Sequence, residues 1–487
     1  MITTLRDRSR QYNLSAILIA LAVLALAFLL GRRASPLWLG LLVAGIGSVA
    51  LLARPVLGLP ALVLAALVIP LEISTGTDVK LNAAALLIPA LAVLWLLDMI
   101  RRRQLRFAAS PVNRPLLLFV AASLLSLLIG RATWSPMIPI SSNFLLVQLA
   151  QWAIFAFSAL AFWLTGNLVV DERWLWRLTA TFLLVGGGLA IVRILPGVGG
   201  LVGPLTTVAF VRAPLWVLLA ALAGGQLLFN RDLSVPWRAF LAAALGASLA
   251  YAFVQQQEAT SNWVGLAAVL GTLIWLRFPR LRWPVALIIV ILIVLGVLFP
   301  SIYEFAGGDR EWETSGGSRL TLIERVVEVT MRNPVTGLGP AAYRPYANAR
   351  PLQYLRAYWV EPKINSHNNY VDLFAHGGIL GLILFAWFSV EVAQLGLRLR
   401  RRYTAGFAAG YVNAMLAAGA GALVIMLLAD WILPFVYNIG FPGFQASVLV
   451  WLFMGGLVAL ENMGQGDTET QGRGEKKTRR QGEGEMG

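Results

Sequence analysis

Apolar runs separated by short polar connections fill the first 300 positions and resume after position 367. A bilayer core of roughly 30 Å needs roughly 20 apolar residues per helix, and by that rule about fourteen spans are expected. They lie near 13–31, 36–53, 55–71, 81–100, 115–130, 143–165, 174–195, 213–229, 238–254, 262–277, 283–300, 368–395, 406–430 and 441–460. The pattern predicts an all-α polytopic membrane protein, with transmembrane helices 1–11 over residues 1–300 and helices 12–14 over 368–461. The first run has no small-residue cleavage site and reads as a retained helix.

Three stretches break the pattern. Residues 301–367 form a large polar loop before the third-last helix. From Ser318, its N-cap candidate, Leu322, Ile323, Val326, Val327 and Thr330 make one apolar stripe that ends at Asn333-Pro334. That predicts an amphipathic helix over 318–333 on the outer membrane face. The connection 196–211 is apolar and rich in glycine and proline, so it is expected to be re-entrant or to lie in the membrane under protein cover. Residues 462–487 hold no aromatic residue, cannot bury a core and are expected to be a disordered cytoplasmic tail.

Charge sets the orientation. The chain is 58% hydrophobic and 13% charged, with net charge +15 and no cysteine, which excludes disulfides and thiolate metal sites. Such basicity first raises nucleic-acid binding. Most arginines, however, sit in short loops beside apolar runs, as in cytoplasmic connections. Arg6, Arg8 and Arg10, then Arg101-Arg102-Arg103, Arg231 and Arg238, Arg277, Arg280 and Arg282, and Arg398 to Arg402 all fall on one side if the N-terminus is cytoplasmic. Arg32 and Arg33 are the exception. The long loop then faces outward, with no nucleic-acid partner and the lipid bilayer as the surrounding medium.

Both histidines lie where that loop enters the twelfth expected span. His367 is a candidate proton acceptor, since imidazole titrates near neutral pH, and an interfacial histidine is the plainer alternative. His376, nine residues on, is about 14 Å further along a regular helix, so the two rings cannot serve one atom. Arg319 starts the amphipathic helix, where free N–H groups and the dipole favour an anion. Arg193 and Arg212 bracket the 196–211 connection and are either anion ligands or snorkelling side chains. Asp372 is placed to orient an imidazole, pair with an arginine or pack between helices. Gly377, Gly378 and Gly381 read as a close-packing helix face. Arg193, Arg212, Glu258, Arg319, His367, Asp372 and Asp430 all map to the outer half. That one-sidedness favours an outer-leaflet enzyme over a transporter, whose ionisable groups would mark a path across the bilayer.

His367-Asn368, nine residues, Gly378, Ile379-Leu380 and Gly381 resemble the outer-loop signature of the O-antigen ligase / Wzy-type polymerase superfamily. Arg319, a helix, then Asn333-Pro334-Val335-Thr336-Gly337-Leu338-Gly339 is similar to that superfamily's upstream segment. The resemblance implies a GT-C-like membrane glycosyltransferase with a partly helical periplasmic loop in the bacterial inner membrane. Its donor would be a glycan on undecaprenyl diphosphate or a related polyprenyl diphosphate. Its acceptor would be a hydroxyl, that of lipid A-core in ligases. His367 would be the base, and Arg319 and Arg212, with Arg193, would hold the diphosphate without metal or cofactor. Asn368, Asp372 and Arg325 join them as substrate-binding candidates, and the tyrosines before His367 (Tyr343, Tyr346, Tyr354 and Tyr358, in a segment that also holds Trp359) as sugar-stacking ones, with a membrane-interface belt as the plainer alternative. Where relatives carry Ser-Arg, this chain has Ser261-Asn262, and where they carry Trp after the motif arginine it has Ile323-Glu324. Arg212 or Arg193 would then replace the arginine lost at 262. The alternatives are a polymerase or a protein O-oligosaccharyltransferase of the same superfamily, or, in another class, a lipid-linked oligosaccharide flippase.

Overall fold

In a computed structural model of the chain, the described residues are 45, 47, 50–77, 79–104, 106–257, 259–296, 304, 317–354, 357–359 and 364–484. The expected span 13–31, most of 36–53, the end of 283–300, Glu258 and nearly all of 301–316 lie outside them. The chain divides into a unit over 1–57, which includes the 3-10 turn Pro55–Leu57, and a unit over 58–487 that contains the site.

The second unit is helical, as the hydropathy pattern requires. Its helices are α1 (Gly58–Val68), α2 (Ala83–Arg101), α3 (Asn113–Ala132), α4 (Phe144–Leu168), α5 (Glu172–Ile194), α6 (Ala213–Phe229), α7 (Val235–Gln255), α8 (Thr260–Arg277) and α9 (Arg282–Val294). Then come α10 (Gly317–Thr330), α11 (Tyr343–Ala347), α12 (Asn369–Arg402), α13 (Gly406–Ile425) and α14 (Gly440–Gly484). Among the described residues, eight helices are long and apolar enough to cross a bilayer: α2, α3, α4, α5, α7, α12, α13 and Gly440–Met463 of α14. The chain is therefore an all-α polytopic membrane protein. The core is α6, buried from Ala213 to Gln226 and ringed by α7, α8, α13 and α14. By contrast, α9 buries none of its apolar side chains against the chain, and lipid suits such a surface.

Four features differ from the expectation. Two antiparallel hairpins interrupt the helices: Glu72–Ser74 with Lys80–Asn82, and Leu352–Tyr354 with Ala357–Trp359. Strands of three residues are too short to display alternation. The span expected over 406–430 stops at Ile425, because Asp430 folds the chain back: its carboxylate accepts the Phe435 N–H at 2.8 Å and the Asn438 amide at 2.6 Å. The amphipathic helix buries Leu322, Val326, Val329 and Thr330 and packs on α11 and α12, so its stripe faces protein. Finally, α14 stays helical to Gly484, through the region whose composition reads as disordered.

The Gly/Pro-rich connection folds as three single turns, Gly199–Val202, Gly203–Leu205 and Val208–Val211. Thr207 docks it onto the end of α1. Its N–H donates to the Leu67 carbonyl at 3.0 Å and its hydroxyl to the Ala66 carbonyl at 2.5 Å. These are carbonyls a helix C-terminus leaves unpaired.

Candidate active site

The site is built where α12 begins. Asn368 is its N-cap, and its side-chain oxygen accepts the N–H groups of Tyr370 (2.9 Å) and Val371 (3.3 Å). The Asn368 amide donates to the Leu427 carbonyl at 3.1 Å. Asn369 then clamps the α13–α14 loop. Its N–H donates to the Met426 carbonyl (2.8 Å), and its side-chain oxygen accepts the Ile432 (2.9 Å) and Leu433 (3.2 Å) N–H groups.

His367 precedes this cap in the left-handed region, at φ 48°. Its N–H donates to Asn365 Oδ1 at 3.2 Å. Ser366 Oγ accepts the Asn368 N–H at 3.0 Å and donates to Asp372 Oδ1 at 2.7 Å. Tyr343 donates to the same oxygen at 2.9 Å. Asp372, fully buried, thus anchors the turn that carries His367 by way of Ser366. Burial, and next the Arg319 charge, push the imidazole down to about 4. At neutral pH the ring is uncharged, the form that accepts a proton.

Arg319 stands on the first turn of α10 and donates through Nη1 to the Leu428 carbonyl at 3.4 Å. That carbonyl follows the Leu427 carbonyl that holds Asn368. The starts of α10 and α12 therefore meet on one loop, 426–439.

The same loop reaches a second basic group. Arg212, just before α6, lies over the Trp431 ring at 5.7 Å, and the charge of Asp430, the neighbour of Trp431 in the chain, acts on it. Burial lowers the Arg212 pKa, and Asp430 and Tyr251 offset this. Its Nε is buried without a hydrogen-bond partner, which leaves a donor for an anion. Burial raises the Asp430 pKa, against the Phe435 N–H and Asn438 that stabilise its charge. Arg193 and Arg212 both lie within electrostatic reach of Tyr251. Tyr251 begins the π-helical turn that ends α7, and a second π turn, Leu183–Gly187, precedes Arg193 in α5. Such turns re-aim helix ends and recur at functional sites.

Behind His367, two sequence motifs interlock. Gly378 breaks α12 with φ 64° and ψ −164°. The amides freed by the break are taken by the Asn-Pro loop: Ile379 N–H by the Pro334 carbonyl (2.9 Å) and Leu380 N–H by the Val335 carbonyl (3.1 Å). In return, Leu338 N–H donates to the Ala375 carbonyl at 2.9 Å. Gly337, at φ 75°, lies so close that a β-carbon there would meet Gly378 N at 2.6 Å. Gly378 is therefore a designed helix break, where the close-packing reading assumed a regular helix face.

Residues 245–386 match the O-antigen ligase family. The match supports the O-antigen ligase / Wzy-type superfamily and an enzyme of glycosyltransferase type. No curated protein matches the chain. The O-antigen ligase stretch takes in Arg319, Arg325, His367, Asn368, Asp372, Gly378 and Gly381. Arg193 and Arg212 precede it, and the loop 426–439 follows it.

Not every candidate joins the centre. Arg325 is committed to its own loop: its guanidinium donates to the carbonyls of Ala347 (3.3 Å), Arg350 (3.1 Å) and Pro351 (3.2 Å), with Glu328 at 3.2 Å. That geometry staples the loop after α11 and leaves no donor pattern for substrate. Tyr343 stacks on Phe435 at 4.6 Å, and Tyr346 accepts the Ser135 N–H at 3.0 Å, so both are buried framework and not sugar platforms. The side chains of Tyr354, Tyr358 and Trp359 lie outside the described residues. His376 is buried between Tyr343, Phe155 and Phe435 at 5.5–5.8 Å, near the Gly339 backbone but without a well-formed hydrogen bond. Asn262 is buried in the first turn of α8. The sequence reading missed the loop 426–439 as the hub. Its one available signal was Asp430, the only acid between α13 and α14.

Proposed function

We propose that this protein transfers a glycan from a polyprenyl-diphosphate carrier to an acceptor hydroxyl at the outer face of the bacterial inner membrane. It would act as an O-antigen ligase with lipid A-core as acceptor. The observation that carries this reading is one loop, 426–439, that meets Asn368 (next to His367), Arg319 and Arg212, with His367 and Arg319 inside the matched stretch. The chain crosses the membrane about fourteen times in a GT-C-like arrangement, with both termini cytoplasmic, as the arginine distribution favours.

His367 accepts the proton of the acceptor hydroxyl as that oxygen attacks the anomeric carbon. The bond from that carbon to the diphosphate oxygen breaks, and the attack from the opposite side inverts the centre. The leaving diphosphate gathers negative charge, which Arg319 and Arg212 receive, with Arg193 at the edge. On its own the Arg319 charge weakens His367 as a base. A bound diphosphate offsets that charge, so donor binding itself strengthens the base. Guanidinium groups here fill the role a divalent cation plays in other phosphate-leaving reactions.

The direct test is attachment of glycan to acceptor in membranes carrying His367→Ala or Arg319→Ala. Each substitution is expected to reduce transfer by at least about 100-fold, the usual cost of removing such a group, with insertion unchanged. Normal attachment in either variant overturns the assignment. Cells lacking the protein distinguish ligase from polymerase: unattached long glycan on the carrier supports the ligase, and single lipid-linked repeats support the polymerase.

A further inference from the structure

An apolar cleft of about 220 Å³ lies between α12, α13 and α14. Its floor is Phe388 stacked on Trp451, ring centroids 5.3 Å apart and 20° from parallel, with Met415 and Leu457 buried beside them. Small residues on the facing helix, Gly419 and Ala420, keep it open. A β-carbon on Gly419 would touch only the tip of Met454, at 3.5 Å. The polar side-chain groups of the lining are already committed: the Ser389 hydroxyl donates to the Phe385 carbonyl at 2.9 Å and the Trp451 indole N–H to the Ile432 carbonyl at 3.2 Å. Ala393 and Leu423 on the rim are exposed, so the cleft opens where the bilayer would lie.

The position of the cleft singles it out. Its outer end is formed by Met426 and Ile432. These are the residues whose backbone groups clamp Asn369, two positions from His367. One track thus runs from the bilayer, past an apolar wall, to the loop whose Leu428 carbonyl accepts from Arg319 and whose Trp431 lies under Arg212.

We infer that this cleft holds the first part of the donor's isoprenoid chain and so fixes the depth at which the diphosphate meets the arginines. The inference rests on the transfer reading above and adds where the carrier lies. Chemistry selects the donor over the acceptor. In a polyprenyl-diphosphate glycan the hydrocarbon is joined through the diphosphate directly to the reacting carbon, so the chain begins a few atoms from His367. In a glycolipid acceptor, sugars separate the acyl chains from the attacking hydroxyl. Charge agrees: the head of the track is basic, the track itself neutral and apolar.

The test uses the full-length protein in nanodiscs and a polyprenyl diphosphate that carries a photoactivatable group on its second isoprene unit and no sugar. Cross-links are expected on α12–α14 at Met415, Leu423 or Met454, and excess unlabelled polyprenyl diphosphate should remove them. Cross-links elsewhere, or cross-links that the carrier fails to compete, overturn the inference. Because this readout involves no transfer, it separates the cleft from the chemistry: competed cross-linking at these residues, together with no glycan attachment from a sugar-bearing donor in a separate assay, defeats the ligase reading and leaves the cleft standing. As a second arm, Gly419→Phe and Ala420→Phe fill the track. Each should raise KM at least tenfold for a long-chain donor and leave a one-isoprene donor, too short to reach Gly419, unaffected. Equal loss with both donors counts against the cleft.

Discussion

His367 holds a conformation that costs a residue with a β-carbon about 1 kcal/mol. The cost is met by the fixed backbone on both sides, Asn365 and Ser366 before it and the Asn368 cap after it. Strain at a residue whose ring is also the proposed base is testable by separating the two. His367→Gly removes the ring and the strain together. Its melting temperature is expected to hold or rise slightly while transfer is lost; a large fall would show that the ring's packing, and not its chemistry, maintains the position. Titration gives an independent handle. Burial and Arg319 hold the imidazole near 4, below the unperturbed value of 6.5. Between those values the unfolded chain binds a proton that the folded site refuses. This residue's contribution to stability therefore falls as pH drops from about 6.5 to about 4 and is unchanged above that window. Imidazole NMR should find His367 neutral down to about pH 4, and Arg319→Gln should move the transition upward. The shift should stop short of 6.5, because burial is the larger cause.

At the scale of the element, the two signature glycines of α12 have different reasons to exist. Gly378 has a backbone conformation that essentially only glycine adopts, and a β-carbon there would run into the Val335 carbonyl. Gly381 has no such demand, since a β-carbon would meet only the Leu373 carbonyl at 3.4 Å. Gly378→Ala is thus expected to cost on the order of 3 kcal/mol and to loosen the Asn333–Gly339 loop, whereas Gly381→Ala should stay within about 1 kcal/mol. Equal melting temperatures for the two variants would contradict the interlock. Spacing alone placed both glycines on one motif, but not this difference, because a sequence pattern does not reveal which helix turn is broken or what fills the break. Arg325 teaches the same lesson. It stood among the substrate-binding candidates, yet its donors end on Ala347, Arg350 and Pro351. Arg325→Ala should loosen that loop and lower the melting temperature. Transfer at permissive temperature should remain, unlike Arg319→Ala.

Across the whole molecule, what could be read in advance was what water and lipid dictate. The hydropathy pattern located α6 at residues 213–229 and placed α4, α5, α7 and α8 to within a few residues of their ends, since burial of each span is decided locally. The loop 426–439 was not legible, because its role depends on distant partners: Arg319 is 109 positions from Leu428 and Asn368 is 59 from Leu427. Which face these groups occupy rests on the arginine asymmetry alone, and that is open to a decisive measurement. The chain has no cysteine, so single reporters need no background removal. Asn348→Cys, beyond α11 on the His367 side, should react with a membrane-impermeant maleimide added to intact cells stripped of their outer barrier. Asp232→Cys, in the α6–α7 connection with Arg231, should react only after the membrane is opened. Reversed labelling would put His367 and the arginines on the cytoplasmic side. There they would face nucleotide-sugar chemistry instead of an exported lipid-linked glycan, and the outer-leaflet transfer reading would fail as a whole, whatever the geometry around His367.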